Sequence, residues 1–223
     1  MTELFRPSRR AVLGGAMAAA GGALLGGAAL ATARPALAAA PEPRIYTTAE
    51  WSARPPNGTI TVLNHGPDHL VVHHMDSANT TDYSLSAAFS IAHWCQNLHM
   101  DVNGWIDTGQ QLSISRGGYV LEGRHQSLNA ILAKHHVVGA QTANENSHTL
   151  GIENEGTYMT EAPTTALLNS LVATLAWLCA VYKLDPQEAI VGHRDYNSTD
   201  CPGDVLYSML PSIRNQVAAQ LGA

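Results

Sequence analysis

The sequence predicts a single α/β domain in which a central mixed β-sheet is flanked by helices. Short β-branched segments such as His69–Met75 alternate along the chain with long apolar helical segments such as Pro163–Lys183. Strands and helices that alternate in this way bury their apolar surfaces by packing the helices against one sheet. About 180 residues remain once an N-terminal targeting segment is set aside, which is enough for one domain with a sizeable core.

The first 38 residues are predicted to be a twin-arginine export signal. An Arg-Arg pair at 9–10 precedes an apolar run rich in Gly and Ala, and Ala-Leu-Ala at 36–38 forms a cleavage pattern. The run over 11–33 is long enough to span a bilayer, so a retained membrane anchor is the alternative. Because Ala and Gly insert weakly compared with Leu or Ile, we expect cleavage, secretion or release into the cell envelope, and no stable membrane insertion afterwards.

Beyond the signal, an Ala- and Pro-rich linker over 39–46 and one domain over 47–223 are expected. Eight basic and 17 acidic residues remain there, which gives a net charge of −9 with histidine neutral. Nucleic-acid binding requires clustered Lys and Arg, so this balance argues against a nucleic-acid partner. We expect a monomer. The 11 histidines are many for a chain with 13% charged residues, and they require an explanation.

In the first half of the domain, one long helix is predicted among short strands. The segment "HLVVHHM" at His69–Met75 is β-branched at its centre, which predicts a buried strand. Apolar residues recur at helical spacing over Ser84–Met100. Gln111–Ser115 and Tyr119–Glu122 predict two strands joined by a tight Arg-Gly-Gly turn, and Thr149–Glu153 predicts another strand.

In the second half, two helices enclose a short strand. Pro163–Lys183 is apolar nearly all round and stops before an Asp-Pro pair, which predicts a buried helix. Ala189–Gly192 is predicted to be a strand, and Asp204–Leu221 a final amphipathic helix.

The stretch "IVGHRDYNSTDCPG" places His193 and Cys201 in one polar loop. A catalytic zinc ion is held by three protein ligands, typically His nitrogen, Cys sulfur or a carboxylate, and its fourth position is left to water. A third ligand could come from His73 or His74 in "VVHH", where only one of the two can face a given site because neighbouring strand residues point to opposite faces. The alternative is a hydrogen-bonded core histidine beside one that ends the strand.

Seven segments occur in the same order as in a known family: AEWSARPP, LVVHHMDS, NGWIDTGQQLSI, GGYVLEGRH, GAQT, HTLGIENEG and VGHRDYNSTDCPGDVLY. Over Tyr46–Ser212 they resemble the zinc-dependent N-acetylmuramoyl-L-alanine amidases, a family that includes the peptidoglycan recognition proteins. The resemblance implies one Zn²⁺ per chain, bound by His73, His193 and Cys201. It also implies peptidoglycan as substrate and hydrolysis of the bond between N-acetylmuramic acid and L-alanine by zinc-activated water.

Two catalytic residues follow from the resemblance. "GIENEG" is similar to the "GIELEG" of bacterial amidases, whose first glutamate is the catalytic base, so Glu153 is expected to transfer the proton. Thr199 lies two residues before the cysteine, where family members carry Lys or Thr facing the scissile group. The alternatives are a solvated charge at the strand end for Glu153 and a loop-capping role for Thr199.

Four further residues are expected to contact the substrate: Gln110, Arg124, Gln141 and Trp105. Gln110 stands where many family members carry a tyrosine near the zinc water, and Gln141 replaces the histidine of a family "GAH" segment. Arg124 matches a common family position but could instead brace the sheet. Trp105 could line the groove, although a buried aromatic side chain is the other interpretation.

The remaining cysteines, Cys95 and Cys179, fall on apolar faces of predicted helices. An exported protein usually pairs its thiols, so we expect a disulfide between them, with two buried free thiols as the alternative.

Three other functions compete with the amidase. A non-catalytic module of the same fold would recognise peptidoglycan without cutting it, but such members typically lack the cysteine ligand that Cys201 supplies. A zinc hydrolase acting on a different amide is the second. A purely structural zinc is disfavoured, because structural sites usually have four protein ligands.

Overall fold

A six-stranded mixed sheet forms the centre of the computed structural model, which describes residues 39–222. The predicted export signal and its cleavage site lie outside the described residues. The strands, in chain order, are β1 Ile45–Tyr46, β2 Val62–Leu63, β3 His69–His74, β4 Leu112–Ile114, β5 Val120–Glu122, β6 His136–Val137, β7 Thr149–Asn154 and β8 Ile190–Gly192. The large sheet has the order β1-β5-β4-β7-β3-β8, and β2 pairs with β6 in a separate two-stranded sheet. Only β4 and β5 pair antiparallel within the six strands, so the sheet is mixed as predicted.

The helices, in chain order, are α1 Leu85–Asn97, α2 Ser127–Leu132, α3 Thr165–Tyr182, α4 Pro186–Ala189 and α5 Asp204–Leu221. Side-chain caps fix where the two long apolar helices begin. The Ser84 hydroxyl accepts from the Ala87 amide at 3.2 Å, and the Thr164 hydroxyl accepts from the Leu167 amide at 3.1 Å. α1 continues into a π-helical segment, Leu98–Val102.

Alternation along the strands gives the sheet two unlike faces. On one face, strand residues such as Leu70, Leu150 and Ile152 pack with α3 and α5 in the main core. On the other face, His73, Glu153 and Ser113 lie side by side, because each is the direct register partner of the next. α1 covers part of this second face.

α3 is the apolar helix of the main core. Its length and composition would also suit a membrane span, but half of it is buried inside the protein. Leu171 and Leu175 are fully buried against the sheet and α5. This burial explains why the segment is apolar nearly all round.

The elements that the sequence predicts are present, with shifted ends. α5 has the predicted bounds, while α3 starts after Thr164 instead of at Pro163. The linker prediction is wrong at its end, because Ile45–Tyr46 pairs with β5 as an edge strand. β2, β6, α2 and α4 were not predicted.

The predicted disulfide is wrong, since Cys95 and Cys179 are both free and buried. Cys179 lies on α3 in the main core, whereas Cys95 on α1 contacts Glu153 on the opposite face of the sheet. The sheet therefore separates the two thiols, and a disulfide requires its two Cα atoms to lie within about 7 Å of each other.

Candidate active site

Three ligand-type side chains converge at the carboxyl end of the parallel strands. β3 and β8 are neighbours with Val72 opposite Gly192, so the residues that follow, His73 and His193, emerge at the same edge. Cys201 Sγ lies 3.5 Å from His73 Nδ1, and the two imidazole centroids are 4.5 Å apart. One ligand atom from each of the three residues fits within 4.8 Å of the others. The structure thus brings together the three residues that the sequence analysis selects.

The adjacent histidine points away from this cluster. The His74 ring accepts a long hydrogen bond of 3.4 Å from the Tyr158 amide. His73, by contrast, is 3% exposed and faces His193 and Cys201. Because neighbouring strand residues point to opposite faces, His73 and not His74 joins His193 and Cys201.

A hydrogen bond from Gln141 fixes the orientation of the His73 ring. The Gln141 amide nitrogen donates to the Thr149 hydroxyl at 2.8 Å, which leaves the amide oxygen to accept from His73 Nε2 at 2.6 Å. His73 Nε2 therefore carries the proton, and the Nδ1 lone pair faces Cys201. Such a partner on the far ring nitrogen is typical of metal-binding histidines. The side chain of Gln141 is 7% exposed and contacts His73, and its predicted contact with substrate stays a prediction.

The loop that carries His193 and Cys201 is closed at both ends. The Asp195 carboxylate accepts from the Gly192 amide at 2.7 Å, and the Arg194 amide donates to the Cys201 carbonyl at 3.1 Å. The Arg194 guanidinium also reaches Asp204 at the start of α5, at 2.7 Å. These contacts hold His193 and Cys201 together although eight residues separate them.

The three side chains have the chemistry of zinc ligands. Burial lowers the pKa of His73 to about 3 and also lowers the pKa of His193, so both imidazoles are neutral at pH 7 with a lone pair to offer. Burial raises the pKa of the Cys201 thiol to about 12. A divalent cation offsets that penalty on the thiolate with its own charge. Two neutral imidazoles and a sulfur therefore fit zinc.

Thr199 and Arg124 both serve the local structure. The Thr199 hydroxyl accepts from the Cys201 amide at 3.2 Å, which is the loop-capping contact, and its own proton stays available to a substrate. Arg124 is 4% exposed and donates to the carbonyls of Thr108 and Val138 at 2.7 and 3.2 Å. Its side chain is buried in the bracing role given as the alternative for this residue, and its substrate contact stays a prediction.

Glu153 lies beside His73 as its register partner on the same face of the sheet. Burial raises the pKa of the Glu153 carboxyl to about 7, although a hydrogen bond from Cys95 lowers it in part. A carboxyl group with a pKa near neutrality can both take up and release a proton at pH 7. The position and the raised pKa suit the proton-transfer role predicted for this residue.

Behind Glu153 lies a hydrogen-bonded chain that the sequence analysis missed. The Gln110 amide nitrogen donates to Cys95 Sγ at 3.3 Å, and the Cys95 thiol donates to the Glu153 carboxylate at 3.4 Å. The sequence predicts either a disulfide or a buried free thiol for Cys95, and neither expectation includes a contact with Glu153. Gln110 is 1% exposed and also donates to Ser113, so its side chain supports Cys95 from within the fold, and its contact with substrate stays a prediction.

Trp105 lies at the edge of this region. Its ring stacks on His99 with centroids 4.7 Å apart, and its amide donates to the His99 carbonyl at 2.9 Å. The side chain is half-buried, so part of it remains accessible, and a substrate contact stays a prediction for this residue.

A mixed sheet with a His-His-Cys cluster and a half-buried glutamate at its carboxyl edge defines an amidase-type α/β domain. The chain belongs to the N-acetylmuramoyl-L-alanine amidase family, whose sequence pattern matches residues 63–204.

The relatives include enzymes and recognition proteins. The N-acetylmuramoyl-L-alanine amidase of Sus scrofa is 36% identical over 172 residues, which cover 75% of this chain and 27% of that protein. Peptidoglycan-recognition protein SC2 of Drosophila melanogaster is 28% identical over 171 residues, which cover 77% of this chain and 86% of that one. The crystal structure of Drosophila peptidoglycan recognition protein SD superimposes with a TM-score of 0.66 at 28% identity, over 76% of this chain and 94% of that one. The chain thus spans about a quarter of the length of its pig relative.

Proposed function

We propose that the protein is an exported, zinc-dependent amidase that hydrolyses the bond between N-acetylmuramic acid and L-alanine in peptidoglycan. The observation that carries the proposal is the cluster of His73, His193 and Cys201, placed next to Glu153 on one face of the sheet. Membership of the amidase family supports the substrate class. The export step rests on the Arg-Arg pair and the cleavage pattern within residues 1–38.

Zinc would be held by His73 Nδ1, one ring nitrogen of His193 and Cys201 Sγ. Bound there, it would supply a Lewis acid for the amide carbonyl and would lower the pKa of the attacking water. The chain contributes the geometry of the ligands. Gln141 holds His73 in the tautomer that offers Nδ1, and the contacts of Arg194 and Asp195 hold the loop closed.

Glu153 is the proton carrier of the proposed reaction. Its carboxylate accepts a proton from the attacking water as the new C–O bond forms, and it returns that proton to the nitrogen as the C–N bond breaks. The products are a free lactyl carboxylate on the sugar and a free amino group on L-alanine. The Cys95 thiol keeps the carboxylate in place by its hydrogen bond. The Thr199 hydroxyl is proposed to donate to the oxyanion that develops on the carbonyl oxygen.

Recognition of peptidoglycan without cleavage is the second candidate function. It is favoured by the similarity to peptidoglycan-recognition proteins over most of their length. The complete His-His-Cys cluster and the pKa of Glu153 near 7 favour hydrolysis over this alternative.

The test is digestion of purified peptidoglycan by the wild type, by Cys201→Ser and by Cys179→Ser. Cys179 is a matched control because it is a buried cysteine on the opposite face of the sheet. We expect the wild type and Cys179→Ser to release stem peptides with a free N-terminal alanine. Release should be abolished by EDTA and in Cys201→Ser.

Binding of the wild type to peptidoglycan without new N-terminal alanine would overturn the amidase proposal and favour recognition. Release by Cys201→Ser at the wild-type rate would show that the cluster is not the site of hydrolysis.

A further inference from the structure

A second cluster of metal-ligand side chains lies at the other end of the same sheet face. His69 begins β3 and Asp68 directly precedes it, and His148 directly precedes the neighbouring strand β7. His69 is four residues before His73, so both point to the same face, about 13 Å apart at 3.3 Å per strand residue. The candidate active site uses two of the 11 histidines and leaves this group without a role.

The three side chains meet around one carboxylate oxygen. His69 Nδ1 and His148 Nδ1 each lie 2.7 Å from Asp68 Oδ1, and one ligand atom from each residue fits within 4.8 Å of the others. The backbone supports this arrangement, because the Asp68 amide donates to the His148 carbonyl at 2.9 Å. The two imidazoles are each 34% exposed, so an ion can enter from solvent and keep water as a further ligand.

A fourth residue orients one of the imidazoles. His148 Nε2 lies 2.7 Å from the Glu145 carboxylate, while Nδ1 of the same ring faces Asp68. With a carboxylate at each ring nitrogen, His148 donates through both, and a metal ion at Nδ1 would replace the proton there. Glu145 would then hold the ring from Nε2, as second carboxylates do for metal-binding histidines. The amides of His148 and Thr149 both donate to the Glu145 carbonyl, at 3.2 and 3.1 Å, which holds that turn in place.

Aromatic contacts connect this cluster to the loop of the candidate active site. The Tyr196 ring packs edge-on against His69 and His148, with centroids 6.0 and 6.4 Å away, and Tyr196 belongs to the loop that carries His193 and Cys201. His136 is 1% exposed, and its ring Nδ1 has no hydrogen-bond partner among the described residues. Burial is the main cause of the lowered pKa of His136.

We propose that His69, His148 and Asp68 bind a second divalent metal ion of the zinc class, with Glu145 as the hydrogen-bond partner of His148. Two imidazole nitrogens and one carboxylate suit zinc and similar transition metals, whereas calcium and magnesium prefer oxygen ligands throughout. The bound ion joins the starts of β3 and β7 and supports Tyr196 in the loop of the candidate active site.

Metal stoichiometry tests the proposal without any assay of activity. The metal-stripped full chain is titrated with Zn²⁺ by calorimetry, and bound zinc is counted by elemental analysis after dialysis. We expect two ions per chain for the wild type and one for His148→Ala, for His69→Gln and for Cys201→Ser. Glu145→Gln should keep the second ion but bind it about 10–100-fold more weakly. His65→Ala is the matched control, because His65 is an exposed neighbour outside the cluster, and it should bind two ions.

Cobalt substitution separates the two sites by their donors. The Cys201 site contains sulfur, so Co²⁺ there gives a thiolate-to-metal charge-transfer band. The second site offers only nitrogen and oxygen, so its Co²⁺ adds ligand-field bands without further sulfur charge transfer. The thiolate-to-metal charge-transfer band should be present in His148→Ala and absent from Cys201→Ser.

Two results would overturn the proposal. One is a single bound ion in the wild type, and the other is a second ion that persists in both His69→Gln and His148→Ala. Circular dichroism of each variant excludes loss of fold as the cause, and the more conservative His69→Gln serves where His148→Ala does not fold. Neither result bears on hydrolysis at the first cluster, which the peptidoglycan digestion measures separately.

Discussion

On β7, Leu150 and Ile152 point into the core beneath α3 and α5, whereas Glu153 points to the opposite face beside His73. The same strand thus supplies apolar packing on one side and a titratable group on the other. β3 repeats the pattern, with Leu70 and Val72 in the core and His73 at the cluster. Along each strand, the residues on one face therefore pack in the core and stabilise the fold, while the alternating residues on the other face supply the groups of the candidate site. A slip of register by one residue would exchange the two faces.

Glu153→Gln is expected to give the largest effect in activity. The amide cannot take up the proton of the attacking water, so turnover of peptidoglycan should fall about 10²–10⁴-fold. Zinc content should stay at the wild-type level, because Glu153 is outside the His-His-Cys cluster. Release of stem peptides and elemental analysis measure the two quantities. An unchanged turnover would remove Glu153 from the mechanism.

Leu150→Ala tests the opposite face of the same strand. Leu150 is 1% exposed in the main core, so the substitution should lower the free energy of unfolding by about 2–5 kcal/mol. Turnover per folded molecule should remain near the wild-type value. Urea unfolding and the digestion assay measure these effects. A large loss of turnover in folded protein would contradict the separation of the two faces.

The pH dependence of stability gives the smallest expected effect. Burial raises the pKa of Glu153 from 4.5 to about 7, so the folded chain disfavours the carboxylate. Below pH 4.5 the group is protonated in both the folded and the unfolded state, so it does not change the free energy of unfolding. As the pH rises from 4.5 to about 7, the carboxyl ionises in the unfolded state but not in the folded state, and this lowers the free energy of unfolding. Above about 7 it is ionised in both states, and the loss is complete.

In a chelating buffer, Glu153→Gln should therefore be more stable than the wild type by about 2 kcal/mol at pH 8, a value reduced from the full shift because the side chain is partly exposed. The two proteins should be alike at pH 4.5. Urea unfolding at both pH values measures the difference. Equal stability at pH 8 would mean that burial of Glu153 carries no electrostatic cost.

Long periodic elements were predictable from the sequence, whereas short ones were not. The apolar spacing of α3 and α5 is sustained over 18 residues each, which identifies them as helices. β1, β2 and β6 have two residues each, so their pattern contains no period to detect. They depend on tertiary partners, as β1 does on β5.

The site was predictable where the chemistry depends on residue type, and not where it depends on burial. The sequence motifs select His73, His193, Cys201 and Glu153, and the structure brings these residues to one face. Gln110 and Arg124 were assigned to the substrate from the family positions they occupy, and such a position does not show that a side chain is buried. In the fold their partners are Cys95 and backbone carbonyls, which lie far away in the sequence or carry no sequence signal.

The glutamine at position 141 replaces a residue that is histidine in the family's "GAH" segment. An amide has no acid–base equilibrium in the range where proteins stay folded, so its oxygen accepts a hydrogen bond equally well in acid and in alkali. A histidine in that place would gain a charge on acidification and could no longer accept from its neighbour. The proton of His73 therefore stays on Nε2 over the pH range in which the protein is folded, because the oxygen that accepts it does not titrate there.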